Sequence, residues 1–144
     1  MRAVAVIAAV TVTDQTLKWL VTRFIPAGAS VSLIPGLLNL TNVRNAGIAF
    51  SMLPGIPLAV PAAIALTLLF LLFYNRARWS RRLPAQIALA LLGGGALGNL
   101  IDRLRVGAVI DYLDLHVWPV FNLADLAVTA GTALLILTLA RGER

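Results

Sequence analysis

The chain contains no cysteine, one histidine and six acidic residues among its 144 positions. Without thiols there can be no disulfide framework, no thiolate nucleophile and no cysteine-ligated zinc. With His116 as the lone imidazole, a histidine-built metal centre lacks ligands. Charge is scarce as well: 12% of residues are charged, about half the share of an ordinary soluble domain. Apolar length is what the chain has instead. Hydrophobic residues make up 60% and the mean hydropathy is +0.90, the composition of an integral membrane protein. The formal charge of +6, from 12 basic and 6 acidic residues, does not form a nucleic-acid surface. Such a surface needs basic residues clustered on a solvated face, whereas these arginines stand at the ends of apolar runs.

Four apolar segments are long enough to cross a bilayer as helices: roughly Ala3–Phe24, Ile56–Tyr74, Ala85–Ile101 and Val120–Ala140. The expected architecture is an all-α membrane protein, one integral domain over 1–144 with four transmembrane helices. The densest basic cluster, "NRARWSRR", lies in the 75–84 connection and holds Arg76, Arg78, Arg81 and Arg82, while Arg2, Arg141 and Arg144 flank the ends. The positive-inside rule makes these sites cytoplasmic, and an even number of spans brings both termini to that side. The 25–55 and 102–119 connections are then extracytoplasmic. The first, with its Gly and Pro turns between short alternating runs, predicts a small β-rich platform on the membrane surface. Trp19, Trp79, Trp118, Tyr74 and Tyr112 stand near span ends, as interfacial anchors do. An Ala-x-Ala pattern in "AGAS" at Ala27–Ser30 suggests a cleavable leader, but Asp14 and Lys18 interrupt the apolar region before it.

Polar residues inside such a chain require an account, because a charged Asp at mid-helix costs about 2.5–3.5 kcal/mol on insertion scales. "GGGALGN" at Gly93–Asn99 contains G-x-G-x-x-G, yet no strand precedes it and it lies within an apolar helix. Gly94 and Gly98 read better as a GxxxG face for close helix approach. Asp14 and Lys18, spaced i,i+4, suit an intrahelical ion pair, with an inward-facing, site-orienting Asp14 as the alternative. Asp102 and Arg103 fit a solvated interfacial pair, whereas the Asn99 amide within the span needs partners. Asn122 and Asp125 have the spacing of an N-cap and an acid at N3.

The connection before that last helix is short enough to return Asp111 toward Asp125, or Asp114 in its place. In an extended segment those two side chains point to different faces, so only one meets Asp125. Two carboxylates held together do not both ionise easily, and one keeps its proton while the other serves as a base toward water. That is the chemistry of an aspartic protease, which requires neither metal nor other cofactor. His116 reads as an interfacial residue. A proton-coupled transporter is the rival reading of the same acids, but they gather toward one face of the membrane and no inverted repeat is visible. A non-catalytic assembly factor leaves the paired acids without a role.

Four blocks in order, "TDQTLK" at Thr13–Lys18, "NVRNAGIAFS" at Asn42–Ser51, "GGALGNLIDR" at Gly94–Arg103 and "VIDYLDLHVWPVFNLAD" at Val109–Asp125, together resemble lipoprotein signal peptidase, or signal peptidase II. The resemblance implies a four-helix aspartic endopeptidase of the bacterial cytoplasmic (inner) membrane, active on its extracytoplasmic side. Its catalytic acids fall on Asp111 and Asp125, and its supporting polar positions on Asp14, Asn45, Asn99, Asp102, Arg103 and Asn122. The implied substrate is a prolipoprotein cleaved before a diacylglyceryl-modified cysteine. Two acyl chains would anchor that bond near the interface, among membrane lipids. No metal or nucleic-acid partner is implied, and the expected working unit is a monomer. Ile48, Phe50, Met52 and Leu53 of the outer loop are candidates either to cover the lipid or signal helix or to form loop core.

Overall fold

A computed structural model describes residues 2–46, 70, 74 and 83–142. Three long helices run through them: α1 (Arg2–Phe24), α2 (Leu83–Val106) and α3 (Leu123–Gly142). Each is long and apolar enough to cross a membrane. At about 1.5 Å per residue, the 23 residues of α1 and the 24 of α2 exceed the roughly 30 Å of a hydrocarbon core. Of the expected span Ile56–Tyr74, only Phe70 and Tyr74 are described; both are helical and their rings stack with centroids 5.8 Å apart. The structure therefore describes three of the four expected crossings. The rest of that segment lies outside the described residues, as do Arg76, Arg78, Trp79, Arg81, Arg82, Arg144 and the loop residues Ile48, Phe50, Met52 and Leu53.

Helix α2 is the central element, touching both α1 and α3. Its buried face is built from small residues, Ala85, Ala88, Gly94, Gly95 and Gly98 among them. Small side chains let backbones approach, which is how helices associate where lipid supplies no hydrophobic drive between them. A Cβ on Gly94 would stand 2.8 Å from the Cβ of Val10 on α1, and one on Gly95 would collide with the carbonyl oxygen of Ala124 on α3. The expected Gly94/Gly98 face is therefore a packing surface, and Gly95 extends it to a second partner. The outward faces carry Val4, Val12, Leu104, Ile136 and Leu137, all exposed, as side chains solvated by lipid are.

The expected platform is a three-stranded antiparallel sheet in the order β1 (Ser30–Ile34), β2 (Leu38–Asn45), β3 (Val109–Asp114). Pro35 and Gly36 form the β1–β2 turn: Leu37 N donates to Ile34 O at 3.0 Å and Gly36 has φ 74°. Proline at the first central position and a left-handed glycine at the second make a type II turn. β3 leaves directly from the end of α2, pairing Asp111 with Val43 and Val109 with Asn45. It then bridges to Phe121 just before α3. Val21, Ile25 and Tyr112 form the apolar cluster between α1 and the sheet, with Leu17, Leu40, Leu113 and Leu123 against it.

Tyr112 corrects one expectation. It is not an interfacial anchor but a core residue, 2% exposed, because its ring fills the gap under α1 while its hydroxyl accepts the Leu123 N–H at 3.1 Å. Burial of the phenol pushes its pKa upward. Trp19, Trp118 and Tyr74 are exposed, as anchors must be.

Candidate active site

The C-terminal end of α1, the C-terminal end of α2, the N-terminal end of α3 and the sheet meet at one end of the bundle. Each supplies polar side chains. Helix α3 begins with a reciprocal cap: Asp125 N donates to Asn122 Oδ1 at 2.9 Å, and Asn122 N donates to Asp125 Oδ2 at 3.3 Å. This satisfies donors that a helix start leaves open, and it sets a carboxylate in the favourable field of the helix N-terminus. The same Asn122 side chain, fully buried, donates through Nδ2 to Asp111 Oδ1 at 2.7 Å and to Asn99 Oδ1 at 3.1 Å. Asp111 and Asp125 thus share Asn122 as a common neighbour.

Asp111 lies on β3 and is 2% exposed. Asn45, two residues along β2 from Asp111's cross-strand partner Val43, donates to its second oxygen at 2.9 Å. Burial pushes the Asp111 carboxyl up to about 7, with the Asp125 charge adding to the rise. The amides of Asn45 and Asn122 and the charge of Lys18 oppose it. Around neutral pH, then, Asp111 exchanges a proton readily. Asp125, less buried, accepts from Asn99 Nδ2 at 2.8 Å. Arg103, one helical turn beyond Asn99, donates to the Asn99 carbonyl at 3.3 Å, and its charge acts on Asp125, Asp111 and Asp102.

Beneath the two acids is a charged layer inside the bundle. Lys18 Nζ lies 2.8 Å from Asp14 Oδ2 and 2.7 Å from Asp102 Oδ2, and donates to Asn99 Oδ1 at 3.0 Å. Asp14, Lys18 and Asp102 are at most 2% exposed. The i,i+4 pair on α1 exists, and Asp14 also faces inward, so the ion pair and the inward orientation are not exclusive. Asp102 is not the solvated partner of Arg103: it accepts from Lys18, from Gln15 Nε2 at 2.9 Å and from Ile110 N at 3.1 Å.

All eight sequence-predicted site residues, Asp14, Asn45, Asn99, Asp102, Arg103, Asp111, Asn122 and Asp125, fall in this one cluster. Asp114 does not. Its carboxylate accepts from His116 N at 2.8 Å and Thr41 Oγ1 at 3.4 Å, at the partly exposed far end of β3. His116, exposed and with φ 64°, contacts Asn39 through Nε2 at 3.0 Å. Gln15, which also donates to Gly98 O at 3.1 Å, was not anticipated, nor was the reach of Lys18 across to α2. The i,i+4 spacing pointed to Lys18 as a neighbour of Asp14; spacing within one helix carries no signal of a second helix.

The arrangement offers two carboxylates of unequal burial around a shared amide, hydrogen-bond donors for each, and a fixed cation below. It suits activation of a water by one acid and protonation by the other. The model of the signal peptidase (SPase) II family matches residues 6–141. Curated relatives include the lipoprotein signal peptidases of Geobacter metallireducens, 42% identical over 99% of this chain and 93% of its own length. That of Syntrophomonas wolfei is 45% identical over 94% of this chain and 91% of its own length. Among solved structures, one described as a bacterial membrane enzyme at 2.3 Å resolution superposes with TM-score 0.91 at 33% identity, covering 97% of this chain and 88% of that one. A second, at 1.9 Å resolution, gives 0.87 at 34% identity, covering 96% and 92%.

Proposed function

The chain belongs to the signal peptidase II family and is a multi-pass membrane protease; from that premise we propose that it works as an aspartyl endopeptidase whose catalytic pair is Asp111 and Asp125. The observation that carries this reading is the placement of both acids around Asn122, one raised to about 7 by burial and the other at the helix N-terminus. In the working form the pair holds one proton. The ionised carboxylate takes a proton from a water as that water attacks the scissile carbonyl, and the protonated partner hydrogen-bonds the carbonyl oxygen. The roles exchange as the amine leaves, and the pair titrates as a unit.

Around this pair, Asn45, Asn99 and Asn122 hold the carboxyl oxygens, while Asp14 and Asp102 fasten the backbone beneath. Arg103 faces the acids and is suited to a substrate carbonyl or a lipid oxygen. The substrate is a prolipoprotein carrying a diacylglyceryl-modified cysteine, cut just before that residue. A site at the end of the bundle suits it, since two acyl chains hold the scissile bond at the interface. Arg2 and Arg141 stand at the opposite ends of their helices, so the positive-inside rule sets the site toward the extracytoplasmic face of the bacterial inner membrane, with both termini in the cytoplasm.

The test is cleavage of a diacylglyceryl-modified prolipoprotein by purified wild type, Asp111→Asn and Asp125→Asn. Each substitution removes one half of the acid–base pair and is expected to lower the rate by about 10²–10⁴-fold or more. A correctly folded variant of either kind that cleaves at the wild-type rate would show the pair to be wrongly assigned.

A further inference from the structure

The two carboxylates that flank the buried cation hold the main chain next to each of the proposed catalytic acids. Asp14 Oδ1 accepts the backbone N–H of Ala124 at 3.0 Å, the residue immediately before Asp125. Asp102 Oδ2 accepts the backbone N–H of Ile110 at 3.1 Å, the residue immediately before Asp111. Each carboxylate therefore holds the main chain one step ahead of a catalytic acid, and they come from different helices. Lys18 Nζ stands between them at 2.8 and 2.7 Å. Its third contact, to Asn99 Oδ1, fixes the amide whose Nδ2 donates to Asp125.

We propose that Lys18 is a positioning residue that sets the separation of the two catalytic acids, tying the α3 start through Asp14 and the β3 start through Asp102 to one ammonium group. This rests on the assignment of Asp111 and Asp125 made above. The packing leaves the device little slack. A Cβ on Gly98 would come 2.7 Å from Asp14 Oδ2, so α2 presses the Asp14 carboxylate into place. Gln15 holds the other oxygen of Asp102 at 2.9 Å. An ammonium suits the position because it is a compact point charge with three donors, matching the two carboxylates and one amide oxygen around it.

The charges facing Asp111 are Lys18 from α1, Asp125 from α3, and Arg103 from α2, with the neutral amides of Asn45 and Asn122 on its oxygens. Removing the Lys18 charge favours the protonated form of Asp111, so the alkaline limb of the activity profile moves to higher pH. A misplaced acid pair lowers the chemical step while leaving substrate binding in place.

The experiment measures kcat, KM and the pH profile for Lys18→Met and Lys18→Arg in lipid nanodiscs with a diacylglyceryl-modified peptide substrate. Lys18→Met is expected to lose about 10²-fold in kcat with KM little changed, and to shift the alkaline limb upward by about one unit. Lys18→Arg keeps the charge but not the compact geometry, so it loses kcat while the limb stays. A merely structural role reduces the fraction of active enzyme and leaves the limb of Lys18→Met where wild type has it, which overturns the proposal; so does a wild-type kcat. Should Lys18→Met fail to fold, leaving two facing carboxylates, the double variant Lys18→Met/Asp102→Asn relieves one of those charges. A wild-type kcat there overturns the proposal equally. Asp111→Asn and Asp125→Asn run alongside: activity in those two refutes the catalytic pair itself, a result distinct from a failure at Lys18 alone.

Discussion

Asp111→Asn should make the protein less active and, above neutral pH, relatively more stable. The carboxyl of Asp111 moves from 3.8 to about 7 on folding. A group whose folded pKa is raised contributes its full stability below the unfolded pKa and loses it as pH rises through the folded one. With these two values, ionisation of Asp111 lowers wild-type stability by roughly 2 kcal/mol at pH 5 and roughly 4 kcal/mol at pH 8. Asparagine does not titrate and escapes that loss. It does bring a cost of its own, since both carboxyl oxygens accept amide hydrogens from Asn45 and Asn122, and an NH₂ group there faces another donor. That mismatch costs about 1–3 kcal/mol but is the same at every pH, so it cancels in a comparison of pH values. The difference in unfolding free energy between variant and wild type should therefore shift by about 2–3 kcal/mol in favour of the variant from pH 5 to pH 8. For a chain of this length that is a change of roughly 5–10 °C in relative Tm. Thermal unfolding of both proteins in the same detergent or nanodisc at the two pH values reads it. A relative Tm that is constant across the range, or that moves against the variant, would refute the burial argument for Asp111.

Three further outcomes follow from particular contacts. Gly98→Ala puts a methyl group 2.7 Å from Asp14 Oδ2, and should cost about 1–3 kcal/mol in unfolding free energy together with most of the activity; wild-type values for both would mean that α2 yields at this point. Tyr112→Phe leaves the Leu123 N–H without its acceptor at the start of α3 and should destabilise by about 1–3 kcal/mol, read as a lowered Tm. Asp114→Asn and His116→Ala alter the exposed end of β3 and should leave cleavage within about twofold of wild type and stability within about 0.5 kcal/mol; a large loss of rate in either would bring that end of the strand into the site.

Much of the bundle could be read in advance, because a bilayer admits few backbone arrangements and apolar length alone marks the crossings. The glycines of α2 were legible for a related reason: in an apolar stretch of helix, GxxxG has packing as its ordinary use. The sheet was visible only as a tendency. Its β1–β2 turn is encoded locally by Pro35 and Gly36, whereas the pairing of β2 with β3 joins segments that have the whole of α2, and the chain before it, between them. The site divides along the same line. Asn122 and Asp125 are neighbours along one helix and announce a cap, but nothing near Asp111 in the chain specifies that it, and not Asp114, turns toward α3. The choice rested on family resemblance; in the structure the pairing of Val43 with Asp111 sets the face. Tyr112 was misread because an aromatic residue near a span end has the same composition signal whether it meets headgroups or a buried cluster.

The cap at the start of α3 also settles a question of orientation. An asparagine amide has two ends of similar size, and turning it over exchanges a donor for an acceptor. At Asn122 the Asp125 N–H must find an oxygen, so the helix itself selects which end faces inward, and the NH₂ is left pointing at Asp111 and Asn99. Winding the first turn of α3 and polarising the site are consequently a single event. A chain with that turn frayed would have its acids in the right neighbourhood and its amide free to turn, and loss of activity on warming should accompany loss of that one turn before the bundle itself comes apart.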